Sequence, residues 1–244
     1  MKAPQLSSLD LSGRQLVSVP PKIWRKTSLR VLNLFRNELK CLPATIGQLT
    51  ELRVLIVANN QLLALPEEIG ALPNLQMLDA GHNLLSELPQ SFAELKTITD
   101  YLYLHDNRLR VLSESVFEGF IHLRYLNLGD NPLRGLPASL GVLVKLEELH
   151  LENIGLKTVP TFLANLTSLD ELSLRNNRLA ALPGSLAKLE NLRHLDLRGN
   201  RFTRIPEVVN ELPKLHKLDL RWNDLRRQLT WLKGLQTQGC RVLL

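Results

Sequence analysis

Arg175, Arg198 and Arg221 stand 23 residues apart, and Tyr101 and Tyr125 stand 24 apart. Side chains that could do chemistry therefore come round at a near-constant interval. His82, Asp79, His105 and His150 are the residue types of a metal site or a proton relay. Tyr101, Tyr103 and Tyr125, the only tyrosines in the chain, are of a type favoured at protein interfaces. The arginine column suits an anionic stripe on a partner, or carboxylates of the chain itself. No GxGxxG or GxxxxGK[ST] phosphate loop is present, and the two cysteines, Cys41 and Cys240, lie near opposite ends.

The elements that position these residues follow from a repeat. The pattern LxxLxLxxNxLxxLP starts at Leu6, Leu29, Leu52, Leu75, Leu123, Leu146, Leu169, Leu192 and Leu215. A tenth copy lies around TDYLYLHDN, with Thr99 in the first slot, or Ile98 after a one-residue shift. The LxL core predicts a short strand with its leucines inward, and stacked copies make a parallel sheet at ~4.8 Å per repeat. Asn37, Asn60, Asn83, Asn107, Asn131, Asn177, Asn200 and Asn223 hold the asparagine slot, where an amide can satisfy backbone groups left unpaired as the chain turns. Arg14 and Ile154 depart from it. After the proline a second apolar series (Ile46 and Leu49, Ile69 and Leu72, Phe92 and Leu95) has a spacing of three, which predicts a helical or 3₁₀ turn on the outer side. LSESVFEGFIHL lacks the proline and offers Phe117 and Phe120 instead. One repeat cannot bury its own leucines, so stability comes from its neighbours.

This pattern resembles the leucine-rich repeat family across nearly the whole chain. The phrases LPATIGQL, LPEEIGAL and LPASLGVL are similar to its 23-residue intracellular subgroup of Ras-suppressor and Scribble type, also common in bacteria. The resemblance implies an α/β solenoid, a horseshoe with a concave parallel sheet and short helical or 3₁₀ convex segments, which binds proteins or peptides on its concave face. We expect a single domain over residues 1–244 of about ten repeats. Residues 1–28 are its first repeat and N-terminal cap, unless the chain is part of something longer. Residues 229–244 form a C-terminal cap, with a helix through Trp231, Leu232 and Leu235 and with CRVLL closing the sheet.

If the leucines are scaffold, recognition lives at the second, third, fifth, seventh and eighth residues of each copy. Reading along the sheet, these give an apolar patch of Val31, Phe35, Val54, Ile56, Ala58 and Met77, then Tyr101, Tyr103, His105 and Tyr125. An acidic stretch follows with Glu147, Glu148, His150, Glu152, Asp170 and Glu171, then Arg175, Arg198, Lys217, Arg221 and Trp222. Asp196 and Asp219 can offset Arg198 and Arg221, whereas Arg175 must look to Glu152. Histidines on non-adjacent strands lie ~10 Å or more apart, so no metal, cofactor or catalytic site is expected. Changes on the convex side, such as Glu67→Lys, are expected to leave partner binding unaffected.

The net charge of +6 is confined to residues 193–244, which carry 11 Lys/Arg and 5 Asp/Glu. That is a local basic surface without a groove-reading motif, so nucleic acid or anionic lipid is only a minor alternative. No run of 18 apolar residues predicts a membrane span, MKAPQLSSLDLSG lacks the apolar core of a secretory signal, and cysteine clusters are missing. The expectation is a monomeric, cytoplasmic, non-catalytic scaffold for a protein or peptide. The alternative is a recognition domain of a larger signalling or effector protein.

Overall fold

The computed structural model describes residues 7–226, 234–235 and 239–244. Leu6, Trp231 and Leu232 lie outside them. Each LxL core forms a three-residue strand: β1 (Ser8–Asp10), β2 (Val31–Asn33), β3 (Val54–Ile56), β4 (Met77–Asp79), β5 (Tyr101–Tyr103), β6 (Tyr125–Asn127), β7 (Glu148–His150), β8 (Glu171–Ser173), β9 (His194–Asp196) and β10 (Lys217–Asp219). CRVLL supplies an eleventh, β11 (Arg241–Leu243), paired with β10. The strands are parallel and lie side by side in chain order, forming one open sheet. Register is exact from repeat to repeat: Leu32 faces Leu55, and Leu55 faces Leu78. These central leucines are fully buried, each stabilising by about 1.5–3 kcal/mol.

The asparagine slot does more than close a turn. Asn131 accepts the Leu109 N–H at 3.1 Å and donates to the carbonyls of Leu104, Leu128 and Gly129 at 2.9, 3.0 and 3.2 Å. Leu104 and Leu109 belong to the preceding repeat, so each amide stitches its own turn to the one before. At Arg14, which offers no amide, the backbone N–H is itself accepted by Asn37 of the next repeat at 3.0 Å. At the other departure Ile154 is buried, and the Leu133 N–H that an amide would receive turns instead to the Asn131 carbonyl at 2.8 Å.

Each proline opens a convex 3₁₀ turn, as at Ala44–Gln48, where the Ile46 N–H reaches the Pro43 carbonyl at 3.0 Å. Ile46, Leu49, Ile69, Leu72, Phe92 and Leu95 are all buried. Where the proline is missing, Ser113–Phe120 forms successive turns, and Phe117 and Phe120 fill the core. Phe120 meets Phe92 edge-on at 5.7 Å between ring centroids. In the irregular copy Ile98 takes the buried position and Thr99 is half-exposed. The Thr99 and Asp100 N–H groups share the Gln76 carbonyl, each at 3.2 Å, just as Arg53 and Val54 share that of Arg30, and the extra residue shows only afterwards, where Met77 pairs with Tyr101.

Candidate functional site

The strands are shorter than the stretch assigned to them from sequence. Only the third and fifth residues of a copy lie outward on a strand. The seventh and eighth lie beyond its end, in the turn, and this corrects the placement of Phe35, Ala58, His105, Glu152, the three arginines and Trp222. Every eighth residue has a left-handed backbone: Arg36, Asn59, His82, Asp106, Asp130, Asn153, Asn176 and Trp222 have φ from 48° to 61°, and Gly13 and Gly199 have 64° and 62°. Glycine, asparagine, aspartate and histidine suit that geometry, which makes Arg36 and Trp222 the uncommon occupants.

A second local device was missed. Where the fifth residue is Asp or Asn, its side chain accepts the N–H of the seventh: Asn33 from Phe35 at 3.0 Å, Asp79 from Gly81 at 3.1 Å, Asn127 from Gly129 at 2.9 Å and Asp196 from Arg198 at 3.0 Å. These are Asx turns, legible in principle from the recurring Asp/Asn two residues after the central leucine.

The apolar patch is smaller than expected. Phe35 is 38% exposed, but Val31, Val54, Ile56 and Met77 are half-buried and Ala58 is buried. Side chains on adjacent strands lie close enough to cover one another.

The tyrosines do converge. β5 and β6 place Tyr101 opposite Tyr125. The Tyr101 and Tyr103 rings are parallel within 9°, with centroids 6.0 Å apart. Tyr125 closes the group at 5.6 Å from Tyr101 and 4.7 Å from Tyr103. His150 continues the band 5.0 Å beyond Tyr125, and His105 and His82 continue it the other way at 6.0 and 4.7 Å. Six rings thus form one connected band across β4 to β7. Glycine makes it possible: a Cβ on Gly81 would come within 2.4 Å of the His105 ring, and one on Gly129 within 2.8 Å of the Glu152 side chain.

Burial, then the charge of Asp79 and the neighbouring Tyr101, push the Tyr103 phenol above its ordinary pKa. Burial, then Tyr103, does the same to Tyr125. Burial, with the His82 charge, holds His105 below the usual imidazole value. Asp79 is raised, because burial outweighs the Gly81 N–H and the two histidines. Four buried polar atoms of this face have no hydrogen-bond partner among the described residues: His105 Nδ1, His150 Nε2, Glu152 Oε2 and Arg175 Nε. Glu148 and Glu152 approach the His150 ring at 3.6 and 3.8 Å. Among the described residues no group of three or more His, Cys, Asp or Glu is placed to hold a metal ion, and no helix is long and apolar enough to cross a membrane.

The arginine column divides. Arg198 is bound by Asp196 and lies 3.5 Å from Asp219, and Arg221 grips Asp219 at 3.0 and 2.7 Å. Burial opposes charge on Asp219, but the Arg221 hydrogen bonds prevail and hold its carboxyl below the usual range. Arg175 was expected to pair with Glu152, yet has no ion-pair partner within 4.0 Å among the described residues. Trp222, 68% exposed, lies under both Arg198 and Arg221, each guanidinium 5.7 Å from the ring centroid. On the convex side Glu67 is no bystander, for it accepts the Gln90 and Ser91 N–H groups at 3.1 and 2.9 Å. Cys41 is exposed, Cys240 is buried, and both are free thiols.

Residues 5–115 and 102–218 match the family described as "Leucine-rich repeat region". Among solved structures the chain is similar to a leucine-rich repeat protein of Leptospira interrogans, with a TM-score of 0.88 and 32% identity over 98% of this chain and 66% of that one. It is also similar to a TDR receptor, with a TM-score of 0.84 and 30% identity over 98% of this chain and 42% of that one. The Arabidopsis receptor kinase HAESA, solved with the peptide hormone IDA and the co-receptor SERK1, gives 0.77 and 30% over 89% and 38%. Leucine-rich repeat-containing protein 4B of Mus musculus is 54% identical over 44 residues, 18% of this chain and 6% of that protein. The chain thus spans less than two thirds of the length of these relatives.

Proposed function

We propose that this chain, which belongs to the leucine-rich repeat family, is a non-catalytic interaction module that binds a protein or peptide across the centre of its concave face. The reading is carried by the connected ring band from His82 to His150. Aromatic side chains at the middle of an interface carry a disproportionate share of its energy. The buried, unpartnered polar atoms of His105, His150, Glu152 and Arg175 add hydrogen-bonding capacity on the same face. The likeness to HAESA, solved with a peptide hormone, supports a peptide as occupant. The lengths of the relatives support a second reading, in which the module serves as the recognition domain of a larger signalling or effector protein. The proposal includes a cytoplasmic location, a monomeric state, and caps at residues 1–28 and 229–244.

Partner capture from a lysate, repeated with variants, tests the reading. Tyr103→Ala and Tyr125→Ala should lose the partner at any salt concentration with circular dichroism unchanged. Glu118→Lys, on the exposed convex turn, should keep it. Retention by both tyrosine variants with loss in Glu118→Lys would overturn the concave-face reading.

A further inference from the structure

We infer that the partner reaches this face with a cationic side chain, a lysine or arginine of a basic peptide segment, seated on Tyr101, Tyr103 and Tyr125 beside Glu148. The inference rests on the interaction-module reading above and gives its partner a chemistry.

Charge distribution is the first support. The chain as a whole is +6, yet the concave positions from Gln76 to Asn176 hold nine carboxylates against two arginines. One of those arginines is already engaged: Arg124 grips Glu147 through two hydrogen bonds of 2.9 and 2.8 Å. The arginines further along, Arg198 and Arg221, are taken up by Asp196 and Asp219. The centre of the face therefore presents a negative field, and the basic end does not cancel it.

The rings are the second support, and they are independent of the first. An aromatic face attracts a cation through its quadrupole, and a group of such faces is a known way to hold an ammonium or guanidinium. The chain fills the Trp222 face with its own Arg198 and Arg221. No described lysine or arginine lies over a tyrosine ring. Tyr101 is 46% exposed, and its ring with Tyr125 lines a hollow of about 320 Å³ whose other walls are Asp100, Glu147, Glu148 and Arg124, the last already held by Glu147. Register places Glu148 directly opposite Tyr125, so a carboxylate stands where a cation on that ring would need one.

The competing chemistries fit less well. An acidic segment would meet like charge, which costs affinity and slows encounter. A purely apolar segment would strip water from Glu148 and Glu152 and return no counter-charge. A cation with an aliphatic stem gives the rings an apolar contact along the stem and the carboxylates an ion pair at its tip.

The test selects linear peptides from a random displayed library on the full chain and measures synthetic copies by calorimetry. Selected peptides should share a lysine or arginine, and replacing it with norleucine or citrulline should weaken binding about tenfold, between the exposed and the desolvated strengths of a cation on an aromatic face. Glu148→Gln and Tyr125→Ala should each weaken it by a similar factor, Tyr125→Phe should keep it, and affinity should fall with salt. Peptides without a basic residue that still depend on Tyr103 and Tyr125 would overturn the cation and leave the interaction module standing. A library yielding no peptide at all would overturn the basic peptide segment and leave the module to the capture experiment, and peptides indifferent to every tyrosine variant would overturn both.

Discussion

Truncating Asn131 to alanine puts a number on the asparagine ladder. Its amide makes four hydrogen bonds and is 1% exposed. Two of the four partners keep a second bond: the Leu104 carbonyl retains the Asn107 amide at 3.1 Å, and the Gly129 carbonyl retains the Asp106 N–H at 2.9 Å. The Leu109 N–H and the Leu128 carbonyl lose the partner the side chain gives them. A buried backbone group left unpaired costs about 1–3 kcal/mol, so the pair costs about 2–6 kcal/mol before the chain relaxes. Position 154 shows how relaxation works, since the Leu133 N–H found a nearby carbonyl where no amide is offered. We therefore expect Asn131→Ala to destabilise by about 2–4 kcal/mol in urea unfolding, with hydrogen-exchange protection of the Leu109 amide falling by more than that of Leu62. A loss below about 1 kcal/mol, or a Leu109 amide as protected as before, would refute the inter-repeat role.

Other perturbations probe separate parts of the account. His105 binds fewer protons folded than unfolded, so the stability it contributes above its ordinary pKa of 6.5 is lost as pH falls below that value. His105→Gln should flatten that segment of the pH–stability profile, and an unchanged slope would place the titration elsewhere. Asp79 has the opposite sign: its raised carboxyl gains stability as pH drops towards and below the native pKa. Asp79→Asn should therefore raise the urea midpoint at pH 7, because asparagine already accepts the equivalent N–H at Asn33 and Asn127; a lowered midpoint would contradict this. Deleting residues 229–244 removes β11, whose Leu243 carbonyl holds the Leu220 N–H at 2.7 Å, and uncovers the buried Leu218 and Leu220. The shortened chain should aggregate or melt less cooperatively, and a monomer with the same melt would make the tail an appendage.

The scaffold was legible because its residues repeat. Copies of LxL marked the inward leucines, half-buried only in the first copy at Leu9 and Leu11, and the parallel strands, and the spacing after each proline predicted helical or 3₁₀ turns, which are 3₁₀. What repetition could not convey was how far a strand extends. The left-handed eighth residue belongs to the turn beyond it, and occupants as unlike as Arg36, His82 and Trp222 conceal that shared backbone. The asparagine slot was recognised, but its reach into the preceding repeat is a three-dimensional fact that one copy does not reveal. At the site, the tyrosine group followed from register alone, whereas the Arg175–Glu152 pairing assumed side-chain directions that register does not set. The bonds that Glu67 accepts were not legible because its partners, Gln90 and Ser91, lie one repeat on.

Recognition at the aromatic, acidic centre of the concave face can be followed residue by residue in amide and tyrosine-ring NMR of the full chain, titrated with a peptide selected as described above. The largest shift changes should fall on residues 101–105, 125–129 and 148–152. Changes centred on the convex turns around residues 67–71 and 90–94, or on the arginine–tryptophan turn at 198–222, would contradict it.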